Sequence, residues 1–250
     1  VLVTTSGGVT SNQLQESLDG GEHFHPLGPP LPDTLRLAAT VDVAPSDTQR
    51  IYVSGLGLAG AGVLLRSDDR GQSFSARPLP TDAKSDEVPY IAAVEPSNPD
   101  GLYVRTDVWK YDELAGGAAA ADALLYSDDG GSHFTELLRQ GGKLFGFALS
   151  PDGKEVLAGY GDPVEGGGRV IDQNTLGIYR APAGTSSFEQ VYNGPVSCLT
   201  WSEAGVYACT AQGQTGFALG LATPDSLLAS GKASFTPLLS LLEVKGPLAC

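Results

Sequence analysis

Short apolar runs separated by turn-forming residues recur along the whole chain. Val41-Asp42-Val43, for example, leads through a turn of Pro, Ser and Asp into Ile51-Tyr52-Val53. Runs of β-branched and aromatic residues bounded by Pro, Gly, Asn and Asp are typical of strands joined by tight turns. The same arrangement returns in 94–104, 147–158 and 197–208. The pattern therefore predicts successive antiparallel strand pairs.

A second motif, Ser-x-Asp-x-Gly-x-x-Phe, lies between these strand pairs. Its serines are 50 and then 60 residues apart, and a strand-like apolar run precedes the second and third copies. A degenerate fourth copy in 178–188 keeps the final Phe but lacks the Asp, and a fainter fifth ends at Phe235. The motif residues are Ser17, Asp19, Gly21 and Phe24; Ser67, Asp69, Gly71 and Phe74; and Ser127, Asp129, Gly131 and Phe134.

Together the two motifs define a unit of four strands in about 50 residues, the size of one blade of a β-propeller. We predict an all-β fold, a β-propeller of four-stranded antiparallel blades, forming a single domain over 1–250 with about five blades. Leu241–Val244 is expected to supply the strand that the first blade lacks, although the chain could equally be the later part of a larger propeller. The predicted blades are roughly 1–35 with 241–250, 41–80, 91–139, 145–193 and 196–240.

The residues of the second motif are those that a tight turn requires. Asp accepts hydrogen bonds from backbone N–H groups, Gly supplies a positive φ, and the closing Phe anchors the turn in the core between blades. We expect no cofactor and no metal. Calcium at the pairs Asp68–Asp69 and Asp128–Asp129 is the alternative, but their spacing is not that of a calcium loop.

Composition narrows the choice of partner and compartment. The chain has 29 acidic and 15 basic residues, a net charge of −14, which disfavours nucleic acid. We find no apolar run long enough for a membrane helix. The start at Val1 without Met suggests a processed or truncated product, consistent with removal of an export signal.

The cysteines support the same compartment. Cys198 and Cys209 would lie opposite each other in a hairpin centred on 202–205, close enough for a disulfide. The alternative is two small buried apolar residues. Cys250 is left over. A disulfide implies an oxidising environment, so we expect an extracytoplasmic location: secreted, periplasmic or cell-surface.

The second motif resembles the Asp box of the bacterial neuraminidase repeat superfamily, which includes sialidases, sortilin-type receptor domains, photosystem assembly factors and xyloglucan hydrolases. The segments LLRSDDRGQSF, FGFALSPDG, CLTW, GFALGLA and GPLAC further resemble exported myxobacterial propellers of unassigned function. The resemblance implies the propeller fold and leaves the chemistry open. Sialidase chemistry is not expected, because the Phe/Tyr-Arg-Ile-Pro segment that brings the first arginine of that site is absent.

Loops longer than a blade needs are the places where function usually resides. The longest follows Asp107 and supplies aromatic and acidic residues, and a second follows Gly161. On the face opposite the Asp-box turns we therefore expect a site for a glycan, peptide or protein, formed by Trp109, Tyr111, Asp112, Glu113, Asp162 and Glu165. The simpler explanation is that Trp109 and Tyr111 pack the insertion against its own blade.

The principal hypothesis is an exported, non-catalytic binding propeller. One alternative is a glycoside hydrolase, which would need two carboxylates facing one cleft. The other is a structural scaffold module of a surface assembly. The carboxylates available to a hydrolase on that face include Asp107, Asp112, Glu113, Asp162 and Glu165.

Overall fold

The structure is a computed structural model that describes residues 2–6, 9–84, 87–108, 121–162, 173–228 and 233–243. The strands in these residues are β1 (Leu2–Ser6), β2 (Val9–Gln13), β3 (Gln15–Glu16), β4 (His25–Pro26), β5 (Leu35–Val43), β6 (Ile51–Gly57), β7 (Gly62–Ser67), β8 (Ser75–Pro78), β9 (Glu87–Val94), β10 (Leu102–Val108), β11 (Ala121–Ser127), β12 (Thr135–Gly141), β13 (Lys143–Leu149), β14 (Glu155–Gly161), β15 (Gly177–Pro182), β16 (Glu189–Tyr192), β17 (Cys198–Ser202), β18 (Gly205–Cys209), β19 (Leu219–Ala222) and β20 (Thr236–Leu239).

The helices in the described residues are few and short. They are α1 (Gln212–Thr215), α2 (Pro224–Leu228) and two 3-10 turns, Gln173–Thr175 and Leu241–Glu243. Within the residues that the structure describes, no helix has the length and apolar character needed to cross a bilayer.

The strands form four four-stranded sheets in chain order, β5 to β8, β9 to β12, β13 to β16 and β17 to β20. Within each sheet, strands that follow each other in the chain pair antiparallel, as tight turns require. The fold class predicted from the sequence is confirmed: the chain is all-β and built from four-stranded antiparallel blades of the β-propeller type. Residues 2–26 add two two-stranded sheets, β1–β2 and β3–β4.

Register is continuous in the middle of the sheets and broken in five of the pairs that include an edge strand, whereas β7–β8 and β17–β18 run without a shift. The central pairs β6–β7, β10–β11, β14–β15 and β18–β19 run without a shift. The pairs β5–β6, β9–β10, β13–β14, β15–β16 and β19–β20 each contain a β-bulge or similar irregularity. Such bulges increase the local twist of the strand that carries them.

The chain divides into two compact units. The first comprises 1–117 and 123–136, and its core is made by alternate strand residues such as Tyr52, Leu64 and Leu125, all fully buried. The second comprises 118–122 and 137–250, and Leu157, Ile178 and Val206 represent its core. The central strands are buried on both faces: on β6 and β7 the alternate residues Ile51, Val53 and Leu65 belong to a second cluster on the opposite side.

Cys198 lies opposite Cys209 in the β17–β18 register. The two form a disulfide with 4.9 Å between their Cα atoms. Cys250 lies outside the described residues.

Leu241–Glu243 does not form the expected strand. The Glu243 N–H donates to the Ser240 carbonyl at 3.1 Å, and Leu241 N–H donates to the Gln212 side chain at 2.5 Å. The first bond closes a 3-10 turn, and both bonds use backbone groups that a strand would present to a neighbour. Val244 lies outside the described residues.

Candidate functional site

Most of the predicted long-loop site lies outside the described residues, namely Trp109, Tyr111, Asp112, Glu113 and Glu165. Asp162 is described and follows β14, where its carboxylate accepts a hydrogen bond of 3.3 Å from the exposed Gln173 side chain. The predicted grouping around Trp109 therefore stays a prediction.

The three Ser-x-Asp-x-Gly segments form turns with the same hydrogen bonds, and we call 17–24, 67–74 and 127–134 the first, second and third Ser–Asp turns. In the second, the Ser67 hydroxyl accepts from Gly71 N–H at 2.7 Å and donates to Asp69 Oδ1 at 2.7 Å. Asp69 Oδ1 also accepts from Ser73 N–H at 2.8 Å. Every polar side chain of the motif is thus used to hold its own turn.

These bonds also favour the ionised aspartate. In the second turn the hydroxyl of Ser73 is the largest influence lowering the pKa of Asp69, to about 2. The backbone N–H of His23 does the same for Asp19, whose pKa is also about 2. The pKa of Asp129 is lowered further, chiefly by the N–H of His133. A carboxylate that accepts several N–H and O–H donors is stabilised in its charged form.

The closing phenylalanine anchors two of the three turns. Phe74 and Phe134 pack, partly buried, against the core clusters of the first unit. Phe24 is instead 50% exposed, contrary to the expectation for this position. Its turn joins β3 to β4, strands of two residues each, so the first turn has no four-stranded sheet against which the ring can pack.

One group of side chains in the described residues could meet at a single metal ion: the ligand atoms of Asp19, Glu22 and His23 lie within 4.8 Å of one another. All three are exposed, and Asp19 Oδ2 already contacts His23 Nδ1 at 2.6 Å. We build no metal site on this group.

The candidate calcium pair of the second turn is engaged in other contacts. Asp68 contacts Nε of Arg50 and, at 3.0 Å, Nε of Arg66. Both guanidinium groups also reach Asp100, at 2.5 Å from Arg50 and 3.2 Å from Arg66. The Asp68 carboxylate therefore belongs to an arginine–aspartate network within the first unit.

A concave, largely apolar groove lies in the first unit, with a volume of about 450 Å³. Its apolar part comes from the ends of β5 and β6 and from the residues that flank the β3–β4 hairpin. Val41 and Val43 on β5 are 36% and 42% exposed, which is high for aliphatic residues on a sheet. The lining residues are Leu14, Gln15, Glu16, Leu27, Val41, Val43, Thr48, Ile51 and Arg70.

One wall of the groove is fixed by close packing of backbone on backbone. The chain passes so near the second Ser–Asp turn at Gly28 that a Cβ there would lie 1.9 Å from the Gly71 carbonyl oxygen. Leu27 N–H donates to the Leu14 carbonyl at 2.9 Å. Leu27 therefore lies against Gly71 of the second turn, and its backbone is bound to that of Leu14.

The rim carries one ion pair, Arg70 Nη2 with Glu16 Oε2 at 2.7 Å. Arg70 belongs to the second Ser–Asp turn and Glu16 ends β3, so the pair joins the two walls. An aliphatic floor with few polar groups at its rim is the usual make-up of a ligand-binding cleft. Sequence reasoning missed this groove, since it looked for function on the opposite face.

Comparison with known proteins gives no family. No family model matches the chain, and no curated protein matches it either. The predicted membership of the bacterial neuraminidase repeat superfamily therefore stays a prediction.

Solved structures that resemble the chain include YCF48 bound to D1 peptide, with 16% identity and a TM-score of 0.47 over 86% of this chain and 61% of that one. An ancestral GH74 enzyme has 15% identity and a TM-score of 0.42 over 91% of this chain and 36% of the other. A Penicillium chrysogenum α-L-arabinanase complexed with arabinobiose has 14% identity and a TM-score of 0.47 over 89% of this chain and 72% of the other.

These three are β-propeller proteins. This chain spans about three fifths of the length of YCF48 and about a third of the GH74 enzyme. The fold class itself rests on the sheets of this chain.

Proposed function

We propose that this chain is an exported, non-catalytic binding module that holds an aliphatic side chain of a peptide or protein partner in the groove between the β3–β4 hairpin and β5. The observation that carries the proposal is the exposure of Val41 and Val43 at the floor of a concave surface whose walls are fixed. Isolated exposed aliphatic residues are ordinary, whereas exposed aliphatic residues that line a cleft favour ligand contact.

The available energy suits a weak and reversible partner. Full burial of a valine side chain stabilises by about 1.5–3 kcal/mol, so covering the exposed two fifths of Val41 and Val43 contributes roughly 1–2 kcal/mol together. A leucine of the partner would add about 2 kcal/mol when buried. Because association costs about 4 kcal/mol or more, this burial alone supports only weak binding, and the remaining affinity must come from contacts of the partner at the rim of the groove.

The export part of the proposal is supported by the Cys198–Cys209 disulfide, because such bonds persist in oxidising compartments. Immunoblotting of fractionated native cells tests it. We expect the protein outside the cytoplasm, and recovery in the cytosolic fraction alone would overturn this part.

The binding part is tested with a fluorescein-labelled, end-blocked peptide Ser-Leu-Asp-Leu-Ser and its counterpart in which both leucines are serine. Fluorescence anisotropy should show binding of the leucine peptide only. Val43→Asp places a charge on the groove floor and should weaken that binding at least tenfold, because the carboxylate would have to be desolvated. Leu58→Asp is the matched control, since Leu58 is 70% exposed and lies outside the groove lining. Equal binding by wild type and Val43→Asp would refute the proposal.

The hypothesis of a contact surface around Trp109 remains open beside this one. Trp109→Ala in the same assay separates the two. A loss of binding in Trp109→Ala with none in Val43→Asp would move the site to the long-loop face.

A further inference from the structure

Arg70 adopts a backbone conformation that is unfavourable for any residue with a Cβ. Its φ is +55°, and among the described residues it is the one position other than glycine with a positive φ. The same place is taken by Gly20 in the first Ser–Asp turn, with φ +75°, and by Gly130 in the third, with φ +70°. The repeat thus contains its own comparison: the turn ordinarily uses glycine here, where the left-handed conformation is least costly.

The backbone of the turn does not explain the arginine. Arg70 N–H donates to the Gln49 carbonyl at 2.8 Å, and Gly130 N–H makes the equivalent bond to the Asp100 carbonyl at 2.9 Å. Glycine therefore serves this hydrogen bond as well as arginine does. What arginine adds is its guanidinium group, placed at the rim of the groove and 52% exposed.

The ion pair with Glu16 is a weak reason for keeping a strained residue. Exposed ion pairs contribute little to stability, because water solvates both charges well in the unfolded chain. A backbone conformation kept in spite of its cost is more often found where a side chain is needed for binding.

Other arginines of the first unit show what such a group can hold. Arg50 and Arg66 each contact two carboxylates, Asp68 and Asp100. Arg70 contacts one carboxylate among the described residues, that of Glu16. Guanidinium carries five N–H donors in a planar fork, so a second carboxylate can approach its exposed side.

We propose that Arg70 is a specificity-determining residue that binds a carboxylate side chain of the partner, adjacent to the aliphatic residue held in the groove. The ligand class is an extended acidic–aliphatic peptide. This inference rests on the proposed function, since it names the chemistry of the partner at the same groove. It also explains why a turn otherwise built on glycine carries arginine at the one copy that borders the groove.

The test compares the Ser-Leu-Asp-Leu-Ser peptide with Ser-Leu-Asn-Leu-Ser, in which a neutral amide replaces the central carboxylate. For the wild-type protein, anisotropy titrations should give at least tenfold tighter binding of the Asp peptide, the scale of a charge-assisted hydrogen bond. Arg70→Gly should reduce the affinity for the Asp peptide to that for the Asn peptide and leave the latter unchanged.

Stability measurements separate binding from a structural role. Arg70→Gly restores the residue of the other two turns, so its melting temperature should equal or exceed that of the wild type. Gly20→Arg is the matched control: a Cβ at Gly20 meets no atom within 4 Å, so this variant reports the backbone cost alone and should melt at a lower temperature.

The outcomes are distinct. Equal affinity for the Asp and Asn peptides, or an Arg70→Gly variant that still prefers the Asp peptide, overturns this inference and leaves the proposed function standing. If neither peptide binds at concentrations up to about 1 mM, both this inference and the proposed function are overturned. A clear loss of melting temperature in Arg70→Gly with unchanged peptide preference would assign Arg70 a structural role.

Discussion

The three Ser–Asp turns allow one hydrogen-bond set to be measured at different degrees of burial. The Ser127 hydroxyl accepts from Gly131 N–H at 2.8 Å and donates to Asp129 Oδ1 at 2.9 Å. Ser17 makes the corresponding bonds at 2.8 and 2.7 Å. Ser127 is 2% exposed and Gly131 is buried, whereas Gly21, the partner of Ser17, is exposed. The two turns therefore share the same hydrogen-bond geometry but differ in the access of water to these bonds.

Replacing the serine with alanine removes the acceptor of a backbone N–H. In Ser127→Ala water cannot readily replace it, and an unsatisfied buried donor costs about 1–3 kcal/mol. We therefore expect Ser127→Ala to destabilise by about 2 kcal/mol, a fall in melting temperature of about 4–8 °C for a chain of this size. In Ser17→Ala water takes the place of the hydroxyl, and we expect the free energy of unfolding to fall by about 0.5 kcal/mol or less.

Thermal unfolding followed by circular dichroism measures both variants under one condition. Ser67→Ala provides a third point, since Ser67 is 1% exposed and should behave as Ser127 does. If Ser17→Ala and Ser127→Ala lowered the melting temperature equally, burial of the donor would not be the source of the cost and this reasoning would be refuted.

Three further predictions follow from ionisation, covalent cross-linking and buried charge. The turn aspartates have folded pKa values near or below 2 against an ordinary 3.8, so they stabilise the fold fully above about pH 5. That stability should fall between about pH 4 and 2 in urea titrations, and a flat profile there would contradict it. Replacing Cys198 and Cys209 by alanine opens a loop with a sequence separation of 11 and should cost up to about 3 kcal/mol, while dithiothreitol should destabilise the wild type but not the variant. Asp100→Asn leaves the Arg50 side chain, which is 9% exposed, with less compensating negative charge. We expect this change to lower the free energy of unfolding, measured in urea, by about 2–3 kcal/mol. Asp225→Asn is the exposed control and should change stability little.

Parts of the fold follow from local chemistry and were predictable for that reason. The strand pair around Val41 and Ile51 was evident because its turn residues and its β-branched runs both favour a hairpin. The turn at Ser67 was evident because Ser, Asp and Gly satisfy one another within a few residues. Where the bonds are local, sequence reasoning had the necessary information.

Features that depend on distant neighbours were not predictable in the same way. Phe24 carries the same motif position as Phe74, and its exposure depends on how little sheet surrounds it. The groove escaped notice because Leu14 and Val43 look like ordinary core residues in the sequence. One local signal did exist: Arg70 occupies a motif position where the other two copies have glycine.

The β-bulges near the sheet edges bear on how the chain behaves before folding is complete. A propeller blade presents two edge strands, and a flat edge of unpaired N–H and C=O groups invites pairing with another chain. Five of the pairs that include an edge strand are irregular, among them β5–β6, β15–β16 and β19–β20, whereas β7–β8 and β17–β18 run without a shift. The irregular edges are twisted and make poor templates for a foreign strand, so these edges should resist intermolecular aggregation while neighbouring blades are still forming.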